Sequence, residues 1–376
     1  MRNSLDPLVQ PIIDIFNQLE AEILVSIAKR FSTYETVGGT LEWYMRKLQE
    51  VGALNSDVVG IIAKTSRRSE EELLKMLNKA GFANIDMNTV QTAFNRGVIA
   101  VDPSVMMKSP VMQSIIKDSF RELTNTYRLI QTKAVESAKQ AYMDVLNRSY
   151  LEVSSGIYDY QTSIRNALQR MAARGITGAT YKRDSTVVRY SLEGTVRRDT
   201  LTAVNQLANK GAIKSCEVMG AEYVEVSSHI GARVHPTNPI ANHYGWQGKV
   251  YKVDGETGEY PNLKKSTGYP DDIQGLSGVN CRHRMFPFFP GISVPNPIRY
   301  DEAENKKVYE QTQKQRAMER TLRRLKKQRA VAYEAEDMQT VTKIDKILEK
   351  KNKEIARFCK VNGLKRDTNR ENIYVY

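Results

Sequence analysis

Ser227-Ser228-His229-Ile230-Gly231-Ala232-Arg233, then His243-Tyr244-Gly245-Trp246-Gln247-Gly248-Lys249-Val250-Tyr251, and finally Asn280-Cys281-Arg282-His283-Arg284 mark out one module between residues 227 and 293. It closes with Phe286-Pro287-Phe288-Phe289-Pro290-Gly291. All four histidines of the chain (His229, His235, His243, His283) fall inside it, with one of the three cysteines. Tyr223-Val224-Glu225-Val226-Ser227 alternates strictly and reads as a strand that delivers His229 to the loop beyond its end. Lys249-Val250-Tyr251-Lys252-Val253 is a second alternating strand, closed by the turn pair Asp254-Gly255. The module is therefore α+β and rich in loops.

Outward from it, the periodicity is helical. Upstream, Val196, Leu201, Val204, Leu207 and Ala208 predict a helix over about 195–219, and the alternation between Thr180 and Tyr190, with β-branched Thr186, Val187 and Val188, one strand before it. A long pattern with few breakers runs from Val111 to Tyr150 and carries Ile115, Phe120, Leu123, Tyr127, Ile130 and Leu146. At 1.5 Å per residue such a helix spans roughly 60 Å, the kind of element that bridges units or packs against neighbouring copies. Tyr158 to Arg174 predicts one more helix. The N-terminal part reads as a series of helices: one over 7–30 broken by Gly38-Gly39, a second from Thr40 to about Gly52, a third from Asn55-Ser56. A fourth is expected to open at the capping box Ser69-Glu70-Glu71-Glu72. Downstream, Pro295-Asn296-Pro297 forms a boundary, because two prolines so close continue neither a helix nor a central strand. Asp301–Arg329 and Asp337–Cys359 then predict an antiparallel helical hairpin, followed by an irregular tail from Gly363.

The expected fold is mainly α with a small α+β central module, a long helical N-terminal arm and a basic C-terminal helical hairpin. Four regions are expected: 1–110 N-terminal helical, 111–178 long helices acting as a spacer or oligomerising element, 179–295 the module, and 296–376 the basic hairpin and tail. A chain of 376 residues, 41% hydrophobic and 26% charged, has ordinary globular composition. No apolar run approaches the roughly 18 residues of a membrane span, and Met1-Arg2-Asn3-Ser4-Leu5-Asp6-Pro7 lacks the apolar region of a signal peptide. Three distant cysteines form no disulfide framework and fit a reducing compartment. The net charge of +13 favours a polyanionic neighbour.

His229, His243, Cys281 and His283 have the ligand types of a zinc site. Cys281 and His283 are one residue apart, so both need an unusual loop to reach one ion, and no Cys-x-x-Cys or His-Glu-x-x-His spacing occurs. The blander reading is that these side chains hydrogen-bond to hold the module together. A nucleophilic Cys281 beside His229 or His243 is the third reading, with no geometry behind it in the sequence. There is no P-loop and no dinucleotide fingerprint. Lys314, Arg316, Arg320, Arg323, Arg324, Lys326, Lys327 and Arg329, with only Glu319 among them as counter-charge, make the first hairpin helix the segment suited to phosphate contact. A solvated coiled-coil surface is the alternative, and nothing predicts base-specific readout.

The strings Val224–Arg233 and Trp246–Tyr251, with Asn280-Cys281-Arg282-His283 and Pro287–Ser293, resemble the phage minor capsid protein 2 family, related in role to the phage Mu F-type head proteins. Tyr309–Arg316 with its basic continuation and Phe358-Cys359-Lys360 are similar to the family's C-terminal segment, and Leu48–Ala53 more loosely to its N-terminal part. The resemblance singles out His229, Gly231, Arg233, His243, Trp246, Gly248, Asn280, Cys281, His283, Pro290 and Gly291 as the module's defining residues. Two departures stand out. Val234–Asn242 is partly an insertion carrying His235, and Ser277 stands where the pattern has a cysteine. The resemblance implies a non-enzymatic virion component inside the head near the portal vertex, made in the host cytoplasm. It would contact portal or major capsid protein and, without sequence preference, packaged double-stranded DNA, in head assembly, packaging or ejection. Self-association through the long helix is a further expectation, and no cofactor other than zinc is indicated. The alternatives are a phage-delivered effector or transferase-like enzyme using the His/Cys module, and an internal scaffolding protein.

Overall fold

The computed structural model describes residues 5–31, 40–107, 109–183 and 185–373. The Gly38-Gly39 break, the first four residues and the last three of the tail lie outside them. The elements in chain order are α1 (Asp6–Ala28), α2 (Thr40–Gln49), α3 (Val51–Phe82), α4 (Met87–Asn95), α5 (Pro103–Met107), α6 (Pro110–Ser154) and α7 (Tyr160–Arg174). Then come β1 (Thr177–Arg183), β2 (Thr186–Ser191), α8 (Leu192–Met219), β3 (Tyr223–Val226), α9 (His243–Trp246), β4 (Val250–Lys252), α10 (Leu263–Thr267) and β5 (Met285–Phe288). The chain ends with α11 (Glu302–Glu334), α12 (Met338–Val361) and a 3-10 turn over Thr368–Glu371. The mainly helical class with a small α+β module is as expected.

Local chemistry explains most of the boundaries. α6, 45 residues long, begins with Pro110, whose missing N–H is no loss in a first turn. Asp159 caps α7 by accepting from Thr162 N, and Gly175 (φ 71°) follows its last residue. Asp337 caps α12 through Thr340 N at 3.1 Å. One expectation fails: no helix starts at Asn55 or at Ser69, and α3 runs unbroken for 32 residues. Instead of capping, Thr65 Oγ1 donates to Ile61 O at 3.0 Å and Ser69 Oγ to Ser66 O at 2.9 Å. Both hydroxyls are buried within the helix, where the preceding turn's carbonyls are the acceptors available to them.

The chain forms two compact units, each assembled from three stretches. The first comprises Met1–Pro11, Glu71–Asn125 and Arg197–Thr312; the second comprises Ile12–Glu70, Thr126–Val196 and Gln313–Tyr376. In the first unit, β3 is the centre of an antiparallel three-stranded sheet of order β4-β3-β5. Val224 faces Tyr251 on one side and Pro287 on the other. β5 was not predicted: Met285-Phe286-Pro287-Phe288 is an unalternating apolar run with a proline inside. An edge strand tolerates that proline, and all four of its residues are buried. Ala212 and Cys216 of α8 pack with Val224, Val226, Trp246 and Tyr251 into the core.

Also in this unit, Gly211 of α8 meets Gly81 of α3 so closely that a Cβ on Gly211 would run into the Gly81 carbonyl oxygen. Backbone cannot give way as a flexible side chain can. Gly211→Ala is therefore expected to cost about 1–3 kcal/mol, the usual range for overpacking, although alanine is the better helix former. A thermal unfolding midpoint equal to or above that of the parent would refute this.

The second unit holds the β1–β2 hairpin, in which Tyr181 pairs with Val188, so the stretch expected as one strand over Thr180–Tyr190 forms parts of two that pair with each other. Its core contains Phe16 against Tyr127, Phe31 against Tyr142 and Trp43 edge-on to Tyr160. The expected hairpin of α11 and α12 is present: Leu322, Leu325, Ile344, Leu348, Ile355 and Cys359 form its shared apolar seam.

Candidate functional site: the His/Cys knot

Within the first unit, the loops between β3 and β5 fold into a knot around His283. His229 stacks on His283 with centroids 4.3 Å apart; His243 and Trp246 meet it edge-on at 5.3 and 4.8 Å. His243, Cys281 and His283 are 3, 4 and 1% exposed. One ring nitrogen of each histidine and Cys281 Sγ lie within 4.8 Å of one another. The one-residue spacing of Cys281 and His283 does require an unusual loop, and the chain makes it. Ser277 (φ 66°) and Asn280 (φ 61°) both adopt left-handed conformations that few residues other than glycine and asparagine accept readily.

The hydrogen bonds fix the tautomers. His243 Nε2 sits 2.7 Å from the Gln274 carbonyl oxygen, which only accepts, so Nε2 carries the proton. Gln247 Oε1 accepts the backbone N–H of His229 at 3.0 Å, which identifies that atom as the amide oxygen. His283 Nε2, 2.9 Å from the same oxygen, must then donate as well. His283 Nδ1 is left with its lone pair, 3.7 Å from Cys281 Sγ. Burial, foremost, pushes His243 down to about 4 and His283 well below the ordinary imidazole range, so both are neutral at pH 7. Burial likewise pushes the Cys281 thiol up to about 11, the opposite of an activated nucleophile.

α8 holds the loop from below. Asn205 Nδ2 donates to Cys281 O at 3.1 Å, Gln206 Nε2 to Ser277 O at 3.2 Å, and Asn209 Nδ2 to Ser277 Oγ at 2.6 Å and His283 O at 3.1 Å. Asn209 Oδ1 accepts from Met285 N and Asn84 Nδ2, each at 2.8 Å. Arg284 extends the network, its Nε donating to Asn84 Oδ1 at 2.5 Å. On another side Asn305, fully buried, accepts from Gly231 N (2.8 Å) and Ala232 N (2.9 Å) and donates to Ala232 O (2.8 Å). Asn209, Gln247 and Asn305 were not singled out in the sequence. The i, i+4 pair Asn205 and Asn209 beside the apolar positions Val204, Leu207, Ala208 and Ala212 was the one available signal.

The other motif residues divide by role. Arg233 donates to Val279 O at 3.3 Å, tying two loops, and Trp246 Nε1 donates to Ile240 O at 2.9 Å. Gly231 (φ 84°) and Gly248 (φ 67°) supply left-handed turns. At Gly248 a Cβ would stand 3.1 Å from Ile298 N. Pro290 and Gly291 lie apart from the knot, in the exposed turn where Ser293 N bonds Phe289 O at 2.8 Å and β5 ends. His235 is outside it too: its Nδ1 accepts the backbone N–H of Asn238 at 2.9 Å. Ser277 Oγ, at the position expected of a cysteine, is taken by Asn209.

The family Phage minor capsid protein 2 matches residues 2–360 of the chain. The chain belongs to that family. It is also similar to a "Structural protein" of Lactococcus phage LL-H, 26% identical over 303 residues that cover 78% of each chain. A "Structural protein" of Lactococcus phage mv4 is 28% identical over 100 residues, 26% of this chain and 81% of the relative. No solved structure matches.

The basic face of this family member differs from what its composition suggests. Beyond Glu319, tertiary structure brings acidic partners to α11 from within the second unit. Arg323 Nε pairs with Glu193 at 2.7 Å, both 8% exposed; Lys327 pairs with buried Glu20 at 3.2 Å; Arg329 pairs with Asp345 at 2.6 Å. Lys326 donates to Asn372 Oδ1 at 2.8 Å, and Lys314 lies 5.3 Å from the Phe358 ring centre. Glu319 itself faces Arg370 at 3.6 Å. Arg316 is half-buried, while Arg320 and Arg324 stand exposed one turn apart. In the same unit, a cleft of about 880 Å³ is lined by Lys133, Arg148, Arg170, Arg174 and Arg189, with Glu136 and Asp144 pairing with Lys133 and Arg174 at 2.7 and 3.2 Å.

Proposed function

We propose that this chain is a non-enzymatic structural component of the phage head, carried inside it near the portal vertex, where it contacts portal or major capsid protein and lies against packaged DNA. The observation that carries the reading is the family match over residues 2–360, seconded by two relatives described as structural proteins. The net charge of +13 supports proximity to DNA. The effector or transferase-like alternative would need Cys281 as nucleophile, and a buried thiol raised to about 11 offers neither access nor thiolate. No helix among the described residues is long and apolar enough to cross a membrane.

Locating the labelled chain in assembled particles tests the placement. Density inside the head at a single vertex is expected. Density on the outer surface, or its loss on maturation as for a scaffold, would sink the proposal. The DNA contact is tested with the full chain, since a 299–376 fragment would leave Glu193 and Glu20 behind. Arg320→Gln with Arg324→Gln is expected to reduce the slope of log affinity against log salt on duplex DNA by about 2, at roughly 0.9 per phosphate contact. An unchanged slope would remove these two arginines from the interface.

A further inference from the structure

We propose that His243, Cys281 and His283 bind one zinc ion, through Nδ1 of each histidine and Sγ of the cysteine. This goes beyond the head-protein reading and does not depend on it. The argument begins with a mismatch between donors and acceptors. Both Nε2–H groups are spent on oxygens, His243 on Gln274 O and His283 on Gln247 Oε1. Each Nδ1 is therefore an acceptor. Among the described residues no donor is bonded to His243 Nδ1, and the one hydrogen the cluster itself can offer is the Cys281 S–H. A single S–H cannot serve two lone pairs. A divalent cation meets all three ligand atoms together.

The geometry and the surroundings agree with that ion. Zn–S near 2.3 Å and Zn–N near 2.0 Å at a tetrahedral angle place sulfur and nitrogen about 3.5 Å apart. The observed separation of Cys281 Sγ from His283 Nδ1 is 3.7 Å, a distance that also suits an edge of that tetrahedron. One ring nitrogen of each of these two histidines and Cys281 Sγ already fall within 4.8 Å of one another. A carbonyl oxygen behind each histidine is the outer-shell arrangement that orients zinc-binding imidazoles. His229, stacked on His283 at 4.3 Å, borders the site without joining the three-residue ligand group. Binding deprotonates Cys281 and releases one proton to solvent, leaving a thiolate shared with the metal. A buried donor set of two imidazole nitrogens and one thiolate sulfur suits zinc rather than magnesium or calcium. Its role would be to clamp the loop after residue 277 to α9, a structural site and not a catalytic one.

Cobalt(II) serves as the probe. The full chain, reduced and stripped with chelator, is expected to bind close to one equivalent. Binding should produce a thiolate-to-cobalt charge-transfer band and the intense visible bands of tetrahedral cobalt, and zinc should bleach both. Cys281→Ser should abolish the charge-transfer band, whereas Cys216→Ser and Cys359→Ser, which alter the other two cysteines, should keep it. Gln247→Leu, which removes the oxygen behind His283, should weaken binding about 10- to 100-fold. A parent chain that takes up no cobalt, or takes it up without a thiolate band, overturns the site. So does a band that survives in Cys281→Ser. The parent titration decides the matter even if that variant fails to fold.

Discussion

Replacing Asn209 by leucine is expected to destabilise the chain by about 3–6 kcal/mol, the largest effect of any single change in the knot. The side chain is fully buried and its amide makes four hydrogen bonds: to Ser277 Oγ, His283 O, Met285 N and Asn84 Nδ2. Leucine matches it in bulk but bonds none of them. The Met285 N–H and the Asn84 amide are then left buried without this acceptor, each at about 1–3 kcal/mol. The measurement is chemical denaturation followed by tryptophan fluorescence. The chain has two tryptophans, so a Trp43→Phe background leaves Trp246, packed against His283, as the reporter. A loss below about 1 kcal/mol would mean that the loop relaxes onto other partners and that α8 does not hold it. Asn209→Asp, which retains the acceptor for Met285 N, should fall between parent and leucine variant.

The second large effect concerns the basic helix. Glu193→Ala is expected to cost about 3–5 kcal/mol, because Arg323 would remain buried as an uncompensated cation. The double change Glu193→Leu with Arg323→Met should recover most of that loss, since an apolar pair of similar volume avoids the desolvation of both charges. Arg323 also donates to Arg370 O, which anchors the segment after α12. Thermal unfolding monitored by circular dichroism reads both variants. If Glu193→Ala costs under about 1 kcal/mol, the pair behaves like an exposed one. The same experiment separates stability from DNA contact. Arg323→Met on the Glu193→Leu background should leave the salt slope for DNA untouched, whereas the Arg320 and Arg324 changes should not.

Charge is thus the property that composition describes worst here. Eight basic residues over Lys314–Arg329 look like a phosphate-binding face when read beside Glu319 alone. Glu193, Glu20 and Asp345 are distant in sequence, and no periodicity links them to α11. Helix positions were readable from periodicity to within a few residues, as over Val111–Tyr150, Tyr158–Arg174 and Asp337–Cys359. They were not readable at Ser69, because a serine followed by glutamates can cap a new helix or bond back within an old one. Which occurs depends on whether tertiary neighbours bury that turn. β5 escaped for a related reason: an apolar run with a proline becomes a strand only when the central strand β3 offers it an edge.

At residues 227–293 the division is clearest. By itself the sequence determined that the histidines and Cys281 gather in one loop-rich module flanked by a strand read over Tyr223–Ser227, and the motif strings there carried the family. Local patterns sufficed for this, since alternation, turn residues and short motifs span only a few positions. Only the tertiary structure decided which of the four histidines meet Cys281, that His235 lies outside the knot while Asn209 takes Ser277 Oγ, and that Asn209, Gln247 and Asn305 hold the loops. Those choices rest on hydrogen bonds between groups tens of residues apart. Such bonds exist only once α8, the turn after α9 and α11 bring their amides together in one buried place, where every donor must find its acceptor.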